Sequence, residues 1–253
     1  MIVFFRIPVN APNTLGTIPQ SNIVEIKDTY VPYTIESEAF GHWMFKNNLT
    51  DEMNTRNLAP IPGATYTLTN GMISLDTNQL NGIQSGMKPA AGIGYTVCAV
   101  IRVKNTANAT ADAQLAGTQT STAGTASLRY YPATNQIGGN VVSAGLGSAN
   151  KLAANKNAWQ FMAVSFSGDA QVVRNLLVAD TVHGVLTDTI TGTGPIIGTT
   201  SAQICLGANT ASTVTIDFDC AEFIVFAGPK SINELNSIYT RSKERMATKS
   251  ILI

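Results

Sequence analysis

Histidine is nearly missing from this sequence, at two residues, and cysteine is limited to three. His42 and His183 lie far apart and no Cys-x-x-Cys occurs, which argues against a zinc site. Cys98, Cys205 and Cys220 form an odd set, each inside a strand-like run, so they are expected as buried thiols rather than disulfides or metal ligands. Charge is also scarce. Charged residues make up 13% of the chain, and 16 basic residues balance 16 acidic ones, so the net charge is zero. Such a surface has no general attraction for nucleic acid or an anionic membrane, and no basic cluster interleaved with aromatics is present. Long apolar runs are absent too. Nothing approaches the roughly 20 residues that a membrane-spanning helix needs. The opening MIVFFRIPVNAP is interrupted by Arg6 and Pro8 and lacks a basic leader, so a soluble, unprocessed product is expected.

What remains is a chain of 253 residues that is 44% apolar, enough to bury a substantial core. Thr, Asn, Ala and Gly fill much of the rest, a mixture suited to short strands joined by small polar turns. Residues 1–37 carry Pro8, Pro12, Pro19 and Pro32 and are expected to form an extended arm that packs along the body or holds a partner subunit. From about residue 38 onward, apolar runs recur between turn signals. GYTVCAVIRV (94–103) and NAWQFMAVSFSG (157–168) alternate clearly, and ICLGANT (204–210) is a shorter run. Further strands are predicted at 65–69, 126–132 and 170–180, with a loop at 192–200 and a long loop holding a weak strand around 104–125. SINELNSIYTRSKERMA (231–247) predicts a helix. Ser231 caps it, Glu234 stands at the capping-box position, and Ile232, Leu235, Ile238 and Tyr239 form one apolar stripe. Arg241, Lys243 and Arg245 cluster near its end, where the helix dipole favours cations.

Three carboxylates stand at a D-x-D-x-x-E spacing in DFDCAEFIVF (217–226). A retaining glycoside hydrolase holds two carboxyl groups about 5–5.5 Å apart. Asp217 and Asp219 share a strand face, while Glu222 falls on the opposite face unless a bulge intervenes. Asp217 and Asp219, with loop oxygens, also suit a calcium ion, and a polar loop holding Asp51, Glu52 and Asn54 is a second source of oxygen ligands. Neither cluster has the density of a dedicated calcium loop, and solvated acids are the plainer alternative. Tyr130 and Tyr131 are adjacent, so in a strand one ring should reach the surface, where it can stack on a sugar. Trp43 and Trp159 are expected in the core. No G-x-S-x-G elbow is present.

The order AEFIVFAGPKSINELNSIY (221–239) resembles the terminal strand, turn and short helix of LamG-like jelly rolls, in the concanavalin A-like lectin/glucanase superfamily. HWMFKNNLTDEMNTRNL (42–58), YTVCAVIRV (95–103) and AWQFMAVSFSGD (158–169) follow the order of the family's earlier strands. The resemblance implies an all-β fold: a two-sheet antiparallel sandwich over 38–253 with one short C-terminal helix. Some glucanases of the superfamily carry E-x-D-x-x-E, onto which Asp217, Asp219 and Glu222 would map. Here the first position is the shorter Asp, the motif sits at the end of the domain, and the LamG-like pattern makes Glu222 a structural glutamate. Stand-alone LamG-like domains with a proline-bearing arm resemble phage virion proteins of tail, fibre or capsid. The resemblance therefore implies a non-enzymatic structural or adhesion module in a virion, homo-oligomeric, contacting partner subunits through residues 1–37 and a surface glycan. The alternatives are a glucanase-type hydrolase, or a bacterial carbohydrate-binding protein that is secreted or held at the cell surface.

Overall fold

A computed structural model of the chain describes residues 35–53, 55–76, 82–105, 112–118, 124–141, 150–168, 171–193, 197, 202–208 and 216–253. Backbone contacts separate Met1–Val31 from Pro32–Ile253. The expected arm thus falls, up to residue 34, outside the described residues. Glu36 belongs to the second unit.

Among the described residues, fifteen strands and one helix follow in chain order: β1 Gly41–Trp43, β2 Ala59–Pro60, β3 Tyr66–Thr69, β4 Met72–Asp76, β5 Ile83–Gln84, β6 Gly94–Asn105, β7 Ala113–Gly117, β8 Ala126–Tyr131, β9 Gln136–Val141, β10 Asn150–Ala153, β11 Gln160–Ser167, β12 Gln171–Asp180, β13 Gly184–Thr193, β14 Cys205–Leu206, β15 Asp217–Phe226 and α1 Ile232–Thr248. They form a two-sheet β-sandwich. One sheet has eight strands in the order β13-β12-β11-β6-β15-β4-β3, with β1 beside β15; the other has seven, in the order β10-β9-β8-β7-β14-β5-β2. Every pairing is antiparallel.

The alternation in the sequence sorts side chains into two cores. Val97, Ala99, Ile101 and Val103 of β6, with Met162, Val164 and Phe166 of β11, face the second sheet. Cys98 and Val100, with Phe161 and Ala163, face the helix and join Leu235, Ile238, Tyr239 and Met246. Because both faces of these central strands are buried, their sequences read as nearly continuous apolar runs. The predicted helix forms as expected, with Ser231 as its N-cap and a complete capping box to Glu234. The three cysteines are free and buried, and burial raises the thiols of Cys205 and Cys220. Trp43 is fully buried and stacks on Phe223, its ring centroid 5.6 Å away. Gly41 is required beneath it, since a β-carbon there would lie 2.2 Å from the indole.

Lys249, just past the helix, joins three parts of the sheet. Its Nζ donates to the carbonyls of Met44 at 2.8 Å, Gly71 at 2.9 Å and Ala221 at 3.0 Å. Burial lowers its pKa, while the Glu222 charge opposes that shift. Lys249→Met keeps the aliphatic stem but leaves three carbonyls without this donor. A loss of about 2 kcal/mol is expected, read as a lower urea midpoint at unchanged slope.

Candidate functional site

The strand that carries the acids is interrupted. Across the β6–β15 ladder, Cys220 pairs with Ile101 and Glu222 pairs with Val100, so Ala221 is the extra residue of a β-bulge. Paired residues share a face. Phe218 and Cys220 therefore point into the core between the sheets, and so does Phe223 beyond the bulge. Asp219, opposite Arg102, and Glu222, opposite Val100, both turn to the helix-bearing face. The bulge corrects simple alternation and brings Glu222 to the same side as Asp219.

Sharing a face does not bring the two acids into one site. Glu222 is fully buried beneath α1. Its Oε1 accepts from His42 Nε2 at 2.9 Å and from Arg245 Nε at 2.5 Å, and its Oε2 accepts from the Ser242 hydroxyl. The His42 Nδ1 accepts from the Glu36 backbone N–H at 3.1 Å, so the Nε2 carries the proton given to Glu222. Arg245 Nη1 reaches on to Glu36 Oε1 at 2.9 Å, and Arg241 holds the Glu36 carboxylate through Nε and Nη2. Two carboxylates and two guanidiniums thus close a buried network under the helix. Arg241 and Arg245, expected to serve the helix dipole, are instead engaged here. Burial alone would raise the Glu222 carboxyl, but the His42 hydrogen bond and the Arg245 charge outweigh it and hold the pKa down to about 2. Serine, histidine and glutamate do meet here, yet Ser242 and His42 both bind the carboxylate, an arrangement unlike a triad in which the histidine takes the serine proton.

Asp219 is buried as well, at 2% exposure, but among different partners. Its Oδ1 accepts from Ser74 Oγ at 2.6 Å and faces Lys104 Nζ at 2.6 Å, and its Oδ2 accepts from Arg102 Nη2 at 2.7 Å. Burial pushes this carboxyl up, and the Lys104, Ser74 and Arg102 bonds more than reverse the effect. Arg102 also lies over the half-buried Trp159 ring, 4.8 Å from its centroid. Asp217 lines an open cleft of about 300 Å³ with Thr65, Tyr66, Thr67, Ser74, Leu75 and Lys104. These residues do not fit a calcium ion, which needs 6–8 oxygen ligands, because cations already occupy the Asp219 oxygens. In the second candidate loop, Asp51 accepts from the backbone N–H groups of Thr55 and Arg56, and Glu52 pairs with Lys46. Asn54 lies outside the described residues. Among the described residues, no group of three or more His, Cys, Asp or Glu could hold a metal.

The tyrosine pair divides between the faces of the second sheet. Tyr130 is 1% exposed and points into the core, its hydroxyl donating to Asn135 Oδ1 at 2.7 Å. That burial removes it from any surface ligand. Tyr131 lies on the outer face and is partly exposed. A β-carbon at Gly138 would lie 2.7 Å from its ring, and Lys151 Nζ sits 4.0 Å from the ring centroid. Cross-strand pairing sets Gln114, Arg129, Gly138 and Lys151 in one row beside it. Arg129 pairs with Asp112 at 2.8 Å. Burial, with the Asp112 charge, pushes the Tyr131 phenol up to about 12. Sequence reasoning did not find Lys151 or Gly138. The Gly138–Gly139 step inside a strand is the available signal, because glycine there marks a close approach.

No protein-family model matches the chain, and no curated protein matches it. Solved structures share its fold. The receptor-binding domain of botulinum neurotoxin type G is similar at a TM-score of 0.54 and 11% identity, over 82% of this chain and 52% of that one. A structure of botulinum neurotoxin type C, whose cell entry depends on interaction with two ganglioside molecules, gives 0.55 and 12%, over 80% and 51%. The Trypanosoma rangeli sialidase, solved with sialic acid, gives 0.53 and 11%, over 81% and 33%. The chain spans about half the length of the neurotoxin structures and a third of the sialidase.

Proposed function

We propose that this chain is a non-catalytic adhesion and assembly module of a virion, a lectin-like sandwich that contacts partner subunits and a surface glycan. The LamG-like order of its strands motivates the virion context, and two fold neighbours, a neurotoxin whose cell entry depends on interaction with two ganglioside molecules and a sialidase solved with sialic acid, are in keeping with a glycan partner. One observation carries the non-catalytic part. Glu222 is sealed and ionised, and Asp219 is neutralised by Arg102 and Lys104. A retaining hydrolase needs two carboxyl groups open to one cleft, one of them with a raised pKa. The glycan would meet the outer face of the seven-stranded sheet at Tyr131, with Lys151 as an exposed hydrogen-bond donor beside the ring.

Glycan-array binding by the full chain tests this. Binding is expected for wild type, with at least a ~10-fold loss in Tyr131→Ala and in Lys151→Met, consistent with one anchoring aromatic contact. No polysaccharide turnover is expected. Turnover by wild type that Glu222→Gln abolishes would overturn the proposal, and so would glycan binding that both sheet variants leave intact.

A further inference from the structure

Among the described residues the sandwich has five edge strands, and four of them carry features that discourage pairing with another chain; β1, beside β15, has only three residues. β2 is two residues long and contains Pro60. β3 has four residues, and β10 has four including the exposed Lys151. Short length, proline and lysine are the usual protections of an open edge. The fifth edge, β13, has none of these three, and its single charged residue, Asp188, turns partly inward rather than out to solvent. It runs ten residues, GVLTDTITGT, and pairs with β12 at ten consecutive positions without a bulge. It contains no proline and no lysine. Every second residue of such an edge directs its N–H and C=O away from the sheet.

Its side chains sort cleanly. Val185, Thr187, Thr189, Thr191 and Thr193 are exposed, while Leu186, Asp188 and Ile190 turn partly inward. The exposed row is uncharged and β-branched throughout, and Val185 and the neighbouring Val182 are 45% and 70% exposed. Threonine opposite threonine is a favourable cross-strand pair.

We propose that β13 is an interface, and that its partner is β13 of a second copy of this chain, paired antiparallel so that two eight-stranded sheets become continuous. A two-fold axis normal to the sheet keeps each face on its own side, so partners must be separated by an even step. Two registers then match nine residues. One sets Asp188 against Asp188, which like charge disfavours. The other sets Thr189 on the axis, Thr187 opposite Thr191, Val185 opposite Thr193 and Asp188 opposite Ile190. The structure assigns the second. This interface extends the assembly half of the proposed role and stands whether or not a glycan is bound.

Light scattering and cross-linking of the full chain test it. Wild type is expected to dimerise. Thr189→Lys, which places an ammonium against its own copy at an exposed position, is expected to weaken the dimer by ~100-fold or more, with an unchanged circular dichroism spectrum. Thr189→Cys is expected to form an intermolecular disulfide on mild oxidation, because opposed strand residues lie within disulfide reach. Thr187→Cys alone should not, whereas Thr187→Cys with Thr191→Cys should. The native cysteines are buried and leave this readout clear. A wild-type monomer, a dimer indifferent to Thr189→Lys, equal cross-linking at Thr187→Cys, or a dimer lost only on deleting residues 1–34 would each overturn the assignment.

Discussion

Arg245→Met is expected to destabilise the chain by about 3–5 kcal/mol, the range found when one partner of a buried ion pair is removed. Arg245 bridges the two carboxylates, reaching Glu222 through Nε and Glu36 through Nη1. Without it the network keeps two carboxylates and one guanidinium, and Glu222 retains only His42 and Ser242 as donors. Methionine fills the volume and supplies no charge. The paired replacement Glu222→Leu with Arg245→Met removes the isolated charge and is expected to recover part of the loss. The two substitutions should therefore be strongly non-additive in a double-mutant cycle. Urea unfolding of the four proteins measures this. Additive losses would mean that Arg245 acts through packing of its stem rather than through the carboxylates.

The extent to which this structure was legible in the sequence follows from the range of the interactions concerned. The helix was visible because its cap, its capping box and its apolar stripe all lie within seventeen residues. β6 and β11 were visible because burial on both faces makes their strands uniformly apolar. β13 was missed. Its alternation is Thr-rich rather than apolar, and Asp188 occupies a partly inward position, where it is attracted to Arg174 on the neighbouring strand β12. The region around 192–200, expected as a loop, includes the last residues of that strand. The bulge at Ala221 left no local mark, since Ala-Glu fits a regular strand equally well. The network around Glu222 was illegible for a different reason. It joins residues 180 positions apart at His42 and 23 apart at Arg245, and each looked ordinary in its own segment. Among the tyrosines, alternation predicted that the rings would part, but the inward choice was set by Asn135, whose own amide is fixed by the Ala154 carbonyl.

The acidic strand then yields its second large expectation, in the response to acid. Glu222 titrates at about 2 in the folded chain against an ordinary 4.5. Between those values the unfolded chain binds a proton that the folded chain does not, so lowering the pH favours unfolding. The contribution is complete above about pH 4.5 and is lost as the pH falls toward 2, for a total of about 3 kcal/mol. Asp219, also depressed, acts in the same direction. Denaturant midpoints measured from neutral pH downward should therefore fall steeply in wild type. They should fall less in Glu222→Gln, which starts lower and has no proton to take up at that position. A catalytic acid would behave in the opposite way. Its raised pKa would make the folded chain the better proton acceptor, and Glu222→Gln would remove a stabilisation that grows as the pH drops. One pair of titrations thus tests both the buried network and the hydrolase alternative, and a wild-type midpoint that is flat or rises below pH 4.5 would count against the assignment of Glu222 as a locked structural carboxylate.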